Sequence, residues 1–84
     1  MHYVYGIRSL SDPNQNYIGE TGDLKRRISQ HNNRESSHTA KFAPWKLEFY
    51  LAFDSRDRAK QFEVYLKSHS GKAFSNKRLW PIST

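Results

Sequence analysis

A chain of 84 residues that contains no cysteine must close its fold by packing alone. Neither a disulfide framework nor a thiolate zinc site is available, and this length suffices for one hydrophobic core. Hydrophobic residues make up only 36% of the chain, but the five Phe, five Tyr and two Trp side chains each bury a large apolar area. We therefore expect one domain over residues 1–84, folded in a reducing compartment.

The sequence shows no pattern of membrane attachment or secretion. Its longest apolar run, residues 49–53, is far too short to span a bilayer, and the N-terminus lacks a basic start followed by an apolar stretch. With 26% charged residues, three prolines and four glycines, the composition is neither collagen-like nor that of a disordered chain. We expect a cytoplasmic protein that does not bind a membrane.

Positive charge is concentrated in the later part of the chain. The net charge is +6, and the 24 residues at the start carry one arginine against three acids, which leaves thirteen Lys or Arg against five acids downstream. Such a field attracts polyanions through counterion release, so DNA or RNA is the leading class of partner. A merely solvated basic surface is the alternative that charge alone leaves open.

The first half of the chain predicts a hairpin followed by a helix. Residues 2–9 and 17–19 are rich in aromatic and β-branched residues, and the turn-forming residues between them favour two paired strands. Residues 24–32 have helical periodicity, and the two asparagines at their end stop the helix. Residues 33–45 are predicted to form a loop of unusual length, which is typical of functional or mobile segments.

The second half predicts a third strand and one or two helices. Residues 46–53 alternate in their first half and are expected to form the central strand, with Leu47, Phe49 and Leu51 on one face. Capping residues at 54–57 begin a helix that runs to about residue 68, with an apolar stripe of Ala59, Phe62 and Leu66. Ser70 and Gly71 are expected to break this helix before a short helix over residues 72–79.

Four features occur in a fixed order along the chain. Residues 3–5 read Tyr-Val-Tyr, and eleven residues later 17–19 read Tyr-Ile-Gly. Arg27 lies ten residues after Tyr17, residues 44–47 read Pro-Trp-Lys-Leu, and Glu63 and Lys67 follow on the next helix. In this order the chain closely resembles the GIY-YIG nuclease superfamily, in the small stand-alone form related to the N-terminal nuclease module of the bacterial nucleotide-excision repair enzyme.

The resemblance covers nearly the whole chain and implies an α+β fold. A small three-stranded antiparallel sheet flanked by helices agrees with the ββαβα(α) order read from the residues. Tyr3 and Val4 replace the glycine and isoleucine of the first family motif. Glu20 adds a negative charge beside the second motif, and it would weaken the approach of DNA unless it meets a cation. No second DNA-binding domain follows, so we do not expect sequence-specific cutting.

Hydrolysis of a phosphodiester requires an activated water and neutralisation of charge on the phosphoryl oxygens. Glu63 is the one acid inside the predicted second helix, and one carboxylate together with phosphate oxygens and waters is a common way to hold Mg²⁺. Glu63 is therefore the expected ligand of Mg²⁺ or Mn²⁺. The alternative is a solvated residue paired with Lys67 four positions later.

Four further residues complete the expected catalytic set. Arg27 and His31 lie one helical turn apart and could hold one phosphate between them, although a basic surface and a structural histidine explain them equally well. The resemblance implies that Tyr5 acts as a base or orients the water, with Tyr17 as its partner. Two half-buried tyrosines of a sheet are the alternative.

Contacts to the DNA backbone are expected from basic side chains around this set, namely Lys25, Arg26, Lys41, Lys67 and Lys72. The sequence does not decide what Asn76 does, although the family often has a polar residue late in the domain. The four histidines show no metal-ligand spacing.

Together these features predict a metal-dependent DNA endonuclease. It would make single-strand cuts in structured or damaged DNA, in repair or recombination, alone or with a protein partner or a second copy. The alternative is a non-catalytic nucleic-acid-binding module that keeps the fold. A third reading, a basic protein–protein adaptor, has only the small size in its favour.

Overall fold

The computed structural model describes residues 1–81. They form an antiparallel three-stranded sheet and three α-helices in the order ββαβαα, which confirms the predicted α+β class. The elements are β1 (His2–Ser9), β2 (Asn16–Thr21), α1 (Leu24–Asn32), a short 3-10 helix (Ala40–Phe42), β3 (Trp45–Phe53), α2 (Arg56–Leu66) and α3 (His69–Arg78).

The central strand of the sheet is β1. The strand order is β2-β1-β3, so the prediction that residues 46–53 form the central strand is wrong. The reason is burial, because four successive residues of β1, from Val4 to Ile7, are buried, whereas no residue of β3 after Trp45 is. A continuous buried run is typical of a strand that is covered on both faces.

A bulge in β3 turns Leu47 and Phe49 to opposite faces of the sheet. Gly6 pairs with Phe49 and Ile7 pairs with Leu47, so β3 has one residue more than β1 at this point. One extra residue resets the alternation of side chains along a strand. The prediction that Leu47, Phe49 and Leu51 share one face is therefore wrong for Leu47.

The two faces of the sheet carry separate core clusters, which α1 and α2 cover from opposite sides. One cluster lies between the sheet, α1 and the segment before β3, and it includes Tyr5, Ile7, Leu24, Ile28, Ala43 and Trp45. The other lies between the sheet and α2, and its buried members are Val4, Ala59 and Leu66. Neighbouring residues of β1 thus point to different helices.

The segment over residues 33–45 is held against the core. Thr39 is fully buried, and its carbonyl oxygen accepts the indole N–H of Trp45 at 2.9 Å. The side-chain amide of Asn32 also hydrogen-bonds to the backbone of Trp45, so both ends of the segment are fixed. This anchoring allows Thr39 to take part in the site described below.

The junction between α2 and α3 differs from the sequence prediction. α2 ends at Leu66, and Ser68 caps α3 by accepting the backbone N–H of Gly71 at 3.1 Å. Gly71 lies inside α3 and does not break the helix there, so that prediction is wrong. A Cβ at Gly71 would lie 1.7 Å from the carbonyl oxygen of Tyr65, so the two helices can approach each other this closely only at a glycine.

None of the helices in the described part of the chain is long and apolar enough to cross a membrane.

Candidate active site

Tyr5 reaches the β2 edge of the sheet because Gly19 leaves room for its ring. The two residues are paired in the antiparallel ladder, and a Cβ at Gly19 would lie only 2.4 Å from the hydroxyl oxygen of Tyr5. The ring of Tyr5, which is buried, lies 6.5 Å from that of Tyr17 between ring centroids. The glycine of the second motif thus positions the tyrosine of the first.

His31 links Tyr5 to the anchored segment before β3. It lies in the last turn of α1 with no exposed surface. Its Nε2 atom is 2.7 Å from the hydroxyl oxygen of Tyr5, and its Nδ1 atom is 2.6 Å from Oγ1 of Thr39. The ring also packs edge-on against Tyr17 at 5.4 Å between centroids. Tyr5, His31 and Thr39 therefore form one buried chain of hydrogen bonds.

The imidazole of His31 is neutral at physiological pH. Burial, helped by the charge of Arg27, lowers the pKa of His31 to about 4. A neutral imidazole has one donor and one acceptor nitrogen. With the proton on Nδ1, that nitrogen donates to Thr39 and Nε2 accepts the hydroxyl proton of Tyr5. The ring is thus placed to receive a proton from Tyr5. Both of its nitrogens are used in these hydrogen bonds, so neither is left for the phosphate that the spacing from Arg27 suggested.

Tyr5 keeps its proton at neutral pH. Burial raises the pKa of its hydroxyl to about 12, although the neighbouring Arg27 acts in the opposite direction. An isolated Tyr5 would therefore be a poor base. Its hydrogen bond to His31 uses the hydroxyl proton, so the hydroxyl oxygen, which also faces Arg27, keeps a lone pair that can accept a proton from a water.

Arg27 supplies permanent positive charge at the same place. Its half-buried guanidinium donates to the side chain of Gln30 at 3.0 Å. No ion pair of Arg27 with a carboxylate occurs within residues 1–81. Its positive charge lowers the pKa values of both Tyr5 and His31. A guanidinium without a carboxylate partner is free to bind phosphate oxygens in a forked geometry.

Glu63 occupies a buried position on α2 that an apolar residue would normally take. It shares the inner face of the helix with Ala59 and Leu66 and is 7% exposed. Its two carboxylate oxygens contact the ammonium groups of Lys60 at 3.2 Å and Lys67 at 3.0 Å. Burial opposes ionisation, but these two lysines outweigh it and hold the pKa of Glu63 below its usual range. Glu63 is therefore a charged, nearly buried carboxylate at neutral pH.

Lys67 connects Glu63 to the tyrosines, because its ammonium nitrogen lies 5.5 Å from the ring centroid of Tyr17. The donor set fits Mg²⁺ or Mn²⁺, which proteins often bind through one carboxylate, waters and substrate phosphates. Within residues 1–81 no group of three or more potential ligands among His, Cys, Asp and Glu comes together. Glu63 would hold such an ion together with bound DNA.

The predicted DNA-contacting residues fall on different sides of this site. Arg26 lines a cleft of about 490 Å³ together with Arg27. Lys67 and Lys72 line another of about 420 Å³ between β2 and α3, where Asn76 and Tyr17 also lie. The structure thus places Asn76 beside the expected site. Lys25 lies on another face of α1, where it lines a separate groove, and Lys41 lies over the ring of Phe42.

Glu20 meets the cation that its position beside the second motif requires, which is the guanidinium of Arg56. Its carboxylate lies 3.9 Å from Nε of Arg56 and 3.6 Å from Nδ1 of His2.

Thr39 is the member of the site that the sequence did not reveal. It is 8 positions from His31, and no motif marks it. Only the unusual length of the segment that carries it pointed to a function.

Comparison with known proteins agrees with these motifs. A model described as the GIY-YIG catalytic domain matches residues 1–78. A UPF0213 protein of Clostridium perfringens (strain 13 / Type A) is 32% identical to this chain over an alignment of 85 residues, and the alignment covers 100% of this chain and 85% of that protein. A UPF0213 protein of Haloquadratum walsbyi is 37% identical over 70 residues, which cover 82% of this chain and 76% of that protein.

A structure-specific endonuclease subunit SLX1, from Malassezia globosa, is 38% identical over 77 residues. The match covers 86% of this chain but only 17% of that protein, so the chain corresponds to a small part of it. The family model covers nearly the whole chain, and the match to the clostridial protein covers most of the length of both proteins. The chain therefore belongs to the GIY-YIG family, as its sequence predicted.

Proposed function

We propose that this chain is a metal-dependent endonuclease that makes single-strand cuts in branched or otherwise structured DNA. The observation that carries the proposal is that Lys67, which pairs with the buried carboxylate of Glu63, also lies over the ring of Tyr17, and that this ring packs against His31 of the tyrosine–histidine–threonine chain. A protein that only bound nucleic acid would need the basic surface. It would not need Glu63, whose burial is unfavourable without its two lysines.

The water that attacks phosphorus would be activated through Tyr5. As the water oxygen forms its bond to phosphorus, one water proton passes to the hydroxyl oxygen of Tyr5. The hydroxyl proton of Tyr5 passes at the same time to Nε2 of His31. Because the pKa of His31 is about 4, its charged form is short-lived at neutral pH, and its proton returns through the hydroxyl of Tyr5 to solvent. The leaving oxygen takes a proton from solvent water as its bond to phosphorus breaks. Thr39 keeps the imidazole in the required orientation.

Charge on the reacting phosphate would be met from two helices. Arg27 on α1 binds the non-bridging oxygens, and Lys67 on α2 lies on the other side, near Tyr17. Mg²⁺ or Mn²⁺ bound at Glu63 would add neutralisation of the phosphoryl and leaving oxygens. On binding, at least one of the lysines that contact Glu63 has to turn to the DNA.

Structured DNA is the substrate that the relatives favour. The Malassezia relative is described as a structure-specific endonuclease subunit, and by analogy we propose branched or damaged DNA for this chain. Because that relative is described as a subunit, we also propose an assembly with a partner protein or a second copy. A role in repair or recombination in the cytoplasm is part of the proposal, as expected from the sequence. The competing function is a binding module that keeps the fold without cutting.

The proposal is tested with supercoiled plasmid and a set of flap and four-way-junction DNAs. The purified chain is incubated with each DNA in Mg²⁺, in Mn²⁺ and in a chelator, and nicked products are quantified. We expect nicking with either metal, faster cutting of branched DNA and no product in chelator. Binding to the same DNAs without cutting under any of these conditions would establish the binding module instead.

A further inference from the structure

A second concave surface lies on the far side of α1 from the catalytic residues. It is a groove of about 630 Å³ between α1 and β3, with mainly apolar walls. Tyr50 stands in it with 56% of its surface exposed, and its ring meets that of Tyr3 edge-to-face, 6.0 Å between centroids and 70° between planes. Lys25 and Ser29 line the groove from α1. The mechanism proposed above uses none of these side chains.

We propose that this groove binds an unpaired nucleobase of the strand whose phosphodiester lies at Arg27, stacked on the ring of Tyr50. The inference rests on the proposed function, since it assumes that DNA crosses α1. Beyond the proposed function, the inference says which part of the substrate the protein recognises, namely a base that lies outside the duplex. It also gives a physical reason for a preference for branches and flaps, where such bases occur.

The walls of the groove suit a base better than they suit most other ligands. Tyr50 offers a flat exposed face, and Tyr3 fixes the ring from its edge, so stacking costs little side-chain entropy. Base–aromatic stacking tolerates any sequence, because every base has a π-face. The ammonium of Lys25 can bind the phosphate of the stacked nucleotide, and the hydroxyl of Ser29 can hydrogen-bond to the base edge.

Charge makes the groove continuous with the catalytic site. Three successive residues of α1 are basic: Lys25 lines the groove, while Arg26 and Arg27 line the polar cleft on the other side. Gly22 and Asp23 belong to both surfaces. The separation is about one helix diameter, roughly 10 Å. One strand of B-DNA advances about 3.4 Å per nucleotide, so about three nucleotides would span it.

The test measures stacking and affinity without cleavage. A short single-stranded oligonucleotide with one 2-aminopurine is titrated with the protein in chelator, so that no metal-dependent cutting occurs. We expect quenching of the 2-aminopurine fluorescence on binding. Tyr50→Ala should abolish the quenching and weaken single-strand binding at least about fivefold, whereas Tyr50→Phe should retain both. Tyr65→Ala removes a similarly exposed tyrosine from α2 and should change neither.

Outcomes for the groove and for the nuclease can be told apart. Nicking of a fully paired plasmid by Tyr50→Ala should stay near the wild-type rate, while cutting of a flap should fall. If Tyr50→Ala binds and quenches like the wild type, the groove does not hold a base, whether or not the protein cuts DNA. If Tyr50→Ala instead abolishes a dimer detected by sedimentation, the groove is an interface between copies and the proposal is wrong. Unfolding midpoints of the variants show whether each is folded.

Discussion

The buried neutral state of His31 predicts an unusual pH dependence of stability. In the unfolded chain the imidazole takes up a proton near its ordinary pKa of 6.5, whereas in the folded protein it does so only near 4. Between these values the unfolded state binds more protons, so the free energy of unfolding falls as the pH falls. The contribution of His31 is fully present above pH 6.5 and is lost by about pH 4.

The size of the effect follows from the displaced pKa. A displacement from 6.5 to about 4, at about 1.4 kcal/mol per unit, amounts to about 3 kcal/mol. This is an upper limit, because local opening can expose the ring before global unfolding. Against a total stability of about 5–15 kcal/mol, even half of it is readily measured.

Urea unfolding followed by tryptophan fluorescence measures this loss. Trp45 and Trp80 are 5% and 7% exposed, so both report on the folded core. We expect wild-type stability to fall more steeply than that of His31→Gln between pH 6.5 and 4. His31→Gln lowers the absolute stability, because Tyr5 and Thr39 lose their partner, but the comparison uses only the slopes.

The control separates His31 from the other titrating groups. His38→Gln removes an exposed histidine and should keep the steep wild-type slope. Glu63, whose pKa is held below its usual range, loses its contribution at still lower pH, and this loss is common to all three proteins. Parallel curves for the wild type and His31→Gln would show that His31 is not buried in its neutral form, and the proton relay would then be wrong.

Three further predictions concern the site. Gly19→Ala places a methyl group 2.4 Å from the hydroxyl of Tyr5, and Gly6→Ala places one 2.0 Å from the ring of Phe49 on the other face of the sheet. Unfolding experiments should show that both variants lose about 1–3 kcal/mol of stability. Only Gly19→Ala should also lose nicking activity per folded molecule. Equal losses of nicking activity in the two variants would contradict the positioning of Tyr5 by Gly19. Arg27→Lys should slow single-turnover cutting about tenfold or more, because an ammonium lacks the forked geometry, and an unchanged rate would reduce its role to simple charge. The affinity of the protein should be similar for duplexes of unrelated sequence, and the logarithm of this affinity should fall linearly with the logarithm of the salt concentration. A preference for one duplex sequence that persists at high salt would contradict this expectation, because phosphate contacts carry no sequence information.

Much of the architecture follows from the sequence because local signals agree with each other. The bounds of β1 and α1 were predicted to the residue, since turn-forming residues follow β1 and Asp23 and Asn33 cap the two ends of α1. The strand order and the bulge in β3 were not predicted from the sequence, because they depend on which faces of the sheet the helices cover. The bulge lies between Leu47 and Phe49, where the alternating pattern favours regular pairing, so the sequence gives no sign of it.

Apart from Thr39, the residues of the candidate site were proposed from the sequence, but their relationships were not. The family resemblance pointed to Tyr5 and Glu63 as individual positions, and the helical spacing from Arg27 pointed to His31. That His31 bonds to Tyr5 and Thr39, and so is uncharged, depends on contacts across 26 and 8 positions of the chain. The burial of Glu63 could not be predicted either. Its pairing with Lys67, four positions later, is equally compatible with a solvated helix.

The central claim is that Glu63 is part of a metal-dependent catalytic centre, and Glu63→Gln tests it most directly. Nicking of a flap substrate is measured over a magnesium titration for the wild type, Glu63→Gln and Glu35→Gln, which makes the same change at an exposed carboxylate before β3. We expect Glu63→Gln to lose about 100-fold or more of the cutting rate at every magnesium concentration, with DNA affinity equal or higher, and Glu35→Gln to match the wild type. Cutting by Glu63→Gln at the wild-type rate and with the same magnesium dependence would contradict the account.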